Sequence, residues 1–111
     1  MRLAIIGSRG LHVENLEKYI PDGVTEIVSG GAKGIDRQAA EFAILNDIPL
    51  KEFLPEYSKY GRAAPLKRNA EIAEYAHMAL AFWNGTSKGT LHTISLFKSL
   101  GKTVLIFKIS N

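Results

Sequence analysis

The sequence predicts an α/β fold, a doubly wound parallel five-stranded sheet with helices on both faces, and three observations carry that expectation. Short apolar or β-branched runs recur at Arg2 to Gly7, Glu26 to Ser29, Leu50 to Leu54, Met78 to Trp83 and Thr103 to Phe107, each of strand length. Between them apolar residues fall at helical spacing: Val13, Leu16 and Ile20; Ile35, Ala39, Phe42 and Ala43; Leu66, Ala70 and Ala73; Leu91, Ile94 and Phe97. Pro21-Asp22-Gly23, Asn46-Asp47 and Leu100-Gly101-Lys102 supply stops and turns between these elements. Alternation of strand and helix argues for parallel pairing with right-handed crossovers. Such sheets bind ligands at the carboxyl ends of their strands, where the strand order reverses. The loops after strands one, two and four are therefore the expected seat of function.

With 111 residues, 46% of them apolar, the chain is long enough for one core and too short for two ordinary domains, so a single domain over residues 1–111 is expected. There is no repeat, low-complexity segment or linker. The sequence contains no cysteine, which excludes disulfide scaffolds and thiolate metal sites and favours a reducing compartment; a cytoplasmic location is expected. The first apolar run, Leu3 to Ile6, ends at Gly7 and is too short for a signal peptide or a membrane span, so no membrane partner is expected. The net charge of +3 comes from scattered Lys and Arg, which favours anionic ligands without forming the stripe of a dedicated duplex binder.

The first loop is Gly7-Ser8-Arg9-Gly10. Its glycines permit close backbone approach, and Ser8 and Arg9 offer a hydroxyl and a bidentate cation to a phosphate, although a tight strand-to-helix turn calls for glycine in any case. The second, Ser29-Gly30-Gly31-Ala32-Lys33-Gly34-Ile35-Asp36-Arg37, runs from strand two straight into a helix. Three glycines let successive N–H groups point at an anion beside the positive end of the helix dipole. It is neither a Walker A loop nor a Gly-x-Gly-x-x-Gly fingerprint, so ATP hydrolysis and hydride transfer have no direct support and no cofactor is expected. Asp36 fits two roles: a first-turn acid that favours the helix dipole, or an acceptor for a ribose hydroxyl. The third loop is Trp83-Asn84-Gly85-Thr86-Ser87-Lys88-Gly89-Thr90. Ser87 and Thr90 either cap the next helix or help form a second anion site facing the first, and Trp83 either stacks on a base or packs at the strand end. A fourth segment, Gly61 to Asn69, opens another helix and offers Arg68 and Asn69 to the crevice or to solvent.

Taken together, Gly7-Ser8-Arg9, Ser29 to Asp36, Pro65 to Asn69 and Ser87-Lys88-Gly89-Thr90 resemble, in order and spacing, the SLOG superfamily, and are most similar to its small YspA/YpsA-related branch of unknown function. The resemblance runs over nearly the whole chain. It implies a Rossmann-like fold and a pocket for nucleotides or nucleic acid, as in the Lonely Guy phosphoribohydrolases and the DNA-processing protein DprA. In the Lonely Guy enzymes a Pro-Gly-Gly-x-Gly-Thr-x-x-Glu loop supplies a glutamate that works with an arginine to cleave base from ribose. Arg68 matches that arginine, but Thr93 stands in the place of the glutamate. Threonine cannot supply the charge that stabilises an oxocarbenium-like state, so Asp36 or Glu71 would have to substitute.

Three functions follow in order. The first is binding, sensing or processing of a nucleotide or derivative such as a nucleoside monophosphate or ADP-ribose. The second is N-glycosidase activity on a nucleoside phosphate, with Arg68, Asp36 and Glu71 as catalytic candidates. The third is DprA-like binding of single-stranded nucleic acid. His12, His77 and His92 have no metal-ligand spacing, so no metal is expected. His92 is a secondary candidate for base or proton contact, and an apolar helix face could seal a homodimer.

Overall fold

Four consecutive apolar residues with no charge among them suit a strand covered on both sides, and β1 (Arg2–Gly7) lies at the centre of the sheet. The computed structural model describes residues 1–110; Asn111 lies outside the described residues. β1 pairs in parallel with β2 (Glu26–Ser29) on one side and β4 (Met78–Trp83) on the other. β3 (Leu50–Glu52) and β5 (Thr103–Lys108) add at the two edges, also in parallel, giving the order β3-β2-β1-β4-β5. The order reverses between β1 and β4, which is the geometry of a Rossmann-like doubly wound sheet.

Alternation along the strands divides the core into two layers. Leu3, Ile5, Ile27, Leu80 and Phe82 point to the face covered by α1 (Ile35–Leu45), through its Ile35, Ala39 and Ala43. Ala4, Ile6, Val28, Ala79 and Ala81 point to the other face, where Ile72 and Ala73 of α3 (Ala64–Tyr75) and Ile94 and Phe97 of α4 (Lys88–Ser99) close over them. Alanine at three of those strand positions leaves room for the large Phe97 ring, which is fully buried. The carboxyl end of α3 is tied down by Lys102, whose Nζ donates to the carbonyls of Ala73, Glu74 and Ala76 at 2.6, 2.8 and 2.8 Å. No helix is long and apolar enough to cross a membrane among the described residues.

The helix expected around Val13 to Ile20 is instead a single 3-10 turn over Leu16–Tyr19. Pro21 favours extended backbone at Ile20, observed at φ −77 and ψ 119, and Asn15 sits in the left-handed region, so only one turn fits between them. Leu11, Val13 and Leu16 still reach the core from this irregular crossover, and Tyr19 packs edge-on against Phe82 and Phe107 at 5.0 and 4.8 Å between ring centres. β3 stops two residues short of Leu54, just ahead of Pro55, and β5 runs one residue beyond Phe107. A short helix α2 (Tyr57–Tyr60) leads towards α3. The inward stripes of α3 and α4 also differ from the apolar spacing. α3 buries Asn69, Ile72 and Ala73, and α4 buries Thr90, Thr93, Ile94 and Phe97, while Leu66 and Leu91 are about half exposed, at 51% and 46%.

This contrast sets a direct test. Phe97→Ala empties a fully buried ring site and is expected to lower stability by about 3–5 kcal/mol. Leu91→Ala on the same helix is expected to change it by less than about 0.5 kcal/mol, both read by urea unfolding followed by circular dichroism.

Candidate functional site

At the carboxyl ends of β1, β2 and β4 the loops surround a cleft of about 450 Å³, within the range of roughly 300–1,000 Å³ usual for small-molecule sites. Its lining is mixed, with Ile6, Ile72, Pro55 and Pro65 beside Arg9, Asp36, Arg68 and Asn69.

The first loop sits in the cleft only partly as a ligand wall. A Cβ at Gly7 would lie 2.5 Å from Cγ1 of Ile35 and 2.7 Å from the Phe82 carbonyl oxygen, so β1, β4 and the start of α1 meet at this residue. Ser8, expected to contact phosphate, is buried and occupied elsewhere. Its N–H donates to the Phe82 carbonyl at 3.1 Å and its Oγ accepts from Asn84 N at 3.3 Å, tying the first loop to the third. Arg9 lines the cleft from an exposed position, and Gly10 is exposed beside it.

The second loop contributes Gly30, Gly31 and Ala32 to the lining. Ser29 does not face a ligand: it is fully buried, its Oγ donating to the Asp36 carbonyl and accepting from Gly31 N, both at 3.3 Å. Asp36 reaches back along the loop, Oδ2 accepting from Ala32 N at 3.1 Å. Two amides expected to cradle an anion therefore already have protein acceptors. Gly34, at φ +72, presses its backbone against the carbonyls of Ser8 and Arg9, a position and a conformation that exclude a side chain. Lys33 is exposed and off the cleft.

Above Gly30 the two charged candidates converge. Arg68 donates from Nη1 to the Gly30 carbonyl at 2.7 Å and from Nε to Oδ1 of Asn69 at 2.9 Å. A Cβ at Gly30 would lie 2.6 Å from Arg68 Nη1 and 3.0 Å from Asp36 Oδ2, so the missing side chain is what lets both groups into the cleft. The two Arg68 bonds leave its Nη2 without a protein partner among the described residues. Asp36 is only 8% exposed. Burial holds its carboxyl above the ordinary aspartate value of 3.8, against the opposing pull of the Ala32 N–H and the Arg68 charge and with a smaller push from Glu52. Glu71, the other carboxylate considered, points outward from α3 and does not line the cleft. Among the described residues Asp36 is the one carboxylate in the lining.

The third loop folds on itself through Asn84, whose Oδ1 accepts from Thr86 N at 2.9 Å and Ser87 N at 2.8 Å. Ser87 caps α4, accepting from Thr90 N at 3.4 Å. Trp83 turns away from the cleft and donates from Nε1 to the Ser87 carbonyl at 3.0 Å, so it braces the loop instead of stacking on a ligand. Gly85 lies beneath Lys108, and Lys88 is exposed outside the lining. Ser87, Gly89, Thr90 and Thr93 do line the cleft, bringing the amide end of a twelve-residue helix to the wall. Thr93 donates from Oγ1 to the Gly89 carbonyl at 3.2 Å.

Pro65, from the fourth segment, also lines the cleft, as do Tyr57 and Pro55, to which no motif in the sequence pointed. Tyr57 is 61% exposed, an aromatic ring at the entrance in the place Trp83 was expected to fill. Its pointer was position alone, two residues past a proline that follows an edge strand. Among the described residues no cluster of three or more His, Asp or Glu side chains could hold a metal ion. His77 is engaged away from the cleft, Nδ1 accepting from Arg2 N at 2.8 Å. Compared with known proteins, the chain matches no family model, no curated protein and no solved structure.

The raised Asp36 carboxyl has a stability signature. Its folded form binds a proton more tightly than the unfolded chain does, so its stabilising contribution is complete below about pH 3.8 and is lost as pH climbs through the folded value. Asp36→Asn keeps a carbonyl for Ala32 N and removes the charge. The variant is expected to unfold at a higher temperature than wild type at pH 7, with the gap closing towards pH 4, measured by thermal denaturation across that interval.

Proposed function

We propose that this cleft binds the phosphate-bearing part of a nucleotide or nucleotide derivative, such as a nucleoside monophosphate or ADP-ribose. The observation that carries the reading is Arg68. Its guanidinium is anchored on one side by the Gly30 carbonyl and Asn69, with Nη2 left over, in a cleft whose lining also holds the first turn of α4. A fixed guanidinium and a helix amino end attract the same ligand charge. Because Ala32 N is already matched by the Asp36 carboxylate, a phosphate suits the α4 wall and Arg9, while a sugar hydroxyl suits Asp36, which accepts hydrogen bonds when ionised. Tyr57 at the entrance offers a face on which a base can stack. The loop order that resembles the SLOG superfamily agrees with this reading, and membership of that superfamily is part of the proposal.

One observation favours a second reading, N-glycosidase activity on a nucleoside phosphate. Asp36 is a buried carboxyl in the cleft whose proton affinity burial raises above the ordinary aspartate value, a shift in the direction a general acid needs. In that case Asp36 alone takes the carboxylate role, since Glu71 lies outside the cleft.

A ligand at a hundred times its dissociation constant stabilises by about 2.7 kcal/mol, enough to raise Tm by several degrees in a domain of this size. Thermal unfolding against AMP, GMP, ADP-ribose, NAD and a short single-stranded oligonucleotide is expected to show a selective rise with a mononucleotide or ADP-ribose. Arg68→Ala is expected to weaken that binding about tenfold to a hundredfold, the worth of a hydrogen bond to a charged group. A rise with the oligonucleotide alone, or with no member of the panel at millimolar concentration, overturns the reading. Free base released by wild type but not by Asp36→Asn would establish the glycosidase.

A further inference from the structure

Behind Arg68 runs a chain of hydrogen bonds that the cleft reading does not itself require. Arg68 Nε donates to Asn69 Oδ1 at 2.9 Å, and Asn69 Nδ2 lies 3.3 Å from Nδ1 of His92 on α4. The direction of this chain is fixed by chemistry. A guanidinium can only donate, so the Asn69 carbonyl must face Arg68 and its amino group must face His92. An amino group in turn can only donate, so His92 Nδ1 must present a lone pair, and the ring carries its proton on Nε2. Asn69 is 6% exposed, which leaves solvent little access to take over either bond. Turning the amide over to suit a different partner on α4 would set its amino group against Arg68 Nε, donor against donor.

We propose that His92, acting through Asn69, is a positioning residue that holds the Arg68 guanidinium over the Gly30 carbonyl. This deepens the cleft reading and rests on it for its effect on ligand affinity, while the chain itself is a property of the free protein. His92 therefore works from behind the cleft wall. It is absent from the cleft lining, and base contact is not its task. What position 92 must supply is an acceptor at a set distance from α3, and a side chain of similar bulk without a lone pair cannot substitute.

The test uses the full chain with two replacements. His92→Gln supplies an amide carbonyl that can accept from Asn69 Nδ2, and His92→Leu supplies bulk without an acceptor. The ligand-independent readouts are the ¹⁵N shifts of the His92 ring and hydrogen exchange of the Arg68 Nε proton. The proposal expects an Nε2-protonated ring in wild type, and slow Nε exchange in wild type and His92→Gln that becomes fast in His92→Leu. AMP titration by calorimetry is expected to show about tenfold weaker binding for His92→Leu, the loss of one supporting hydrogen bond, and near wild-type binding for His92→Gln. If His92 carries its proton on Nδ1, or if Arg68 Nε exchange is the same in His92→Leu as in wild type, the proposal is wrong whether or not AMP binds. If the exchange pattern appears as expected while AMP binds to none of the proteins, the chain stands and the cleft reading falls.

Discussion

Where β1 ends, the first turn of α1 and the carbonyl of Phe82 close in so tightly that only a residue without a side chain fits at position 7. That approach brings the first loop to the carbonyl edge of β4, where the backbone of Ser8 bonds to Phe82, and sets the start of α1 directly over the sheet. Gly34 repeats the constraint one loop away, since its backbone lies against the carbonyls of Ser8 and Arg9. Part of the cleft wall is therefore backbone held at close contact, and side chains such as Asp36, Arg68 and Tyr57 complete it.

Most of the small polar side chains around this cleft serve the protein itself. Ser8 links two loops, Ser29 bridges the turn before α1, and Asn84 and Ser87 organise the entry to α4. No buried side-chain nitrogen or oxygen lacks a hydrogen-bond partner among the described residues, as expected where an unmet polar group would be costly. Asp36 stands apart. Its hydrogen bond from Ala32 does not offset the burial of its charge, and Gly30, which could have carried a covering side chain, leaves it open to the cleft. A carboxylate kept where it opposes folding is a feature of the cleft that packing and hydrogen bonding within the protein do not account for.

Much of this was legible from the chain. The strands at Arg2–Gly7, Glu26–Ser29 and Met78–Trp83 follow their apolar runs residue for residue, because strands covered on both faces have no polar side to blur the pattern. The glycine loops after β1, β2 and β4 do converge, with Arg68, Asp36 and Asn69 among them. The failures cluster around the cleft. Ala73, Ile94 and Phe97 turn inward as their spacing predicts, but Leu66 and Leu91 do not, because near the cleft the inward positions are taken by Asn69, Thr90 and Thr93. Hydrophobic periodicity loses its meaning where a helix leaves the core and begins to line a site. Ser8, Ser29 and Trp83 carry the right chemistry for a ligand, and their use inside the protein depends on distances no spacing reveals. Tyr57 was invisible because it opens a single-turn helix, too short to show any periodicity.

The ammonium of Lys102, clamped on three carbonyls at the far end of α3, gives the helix a fixed foot on the turn before β5. Its other end is fastened where Arg68 meets Gly30. Fastened at these two places, α3 carries the guanidinium at a height above the sheet that the protein's own hydrogen bonds set. A wall built this way resembles a mould more than a hinge, since its ordering belongs to folding.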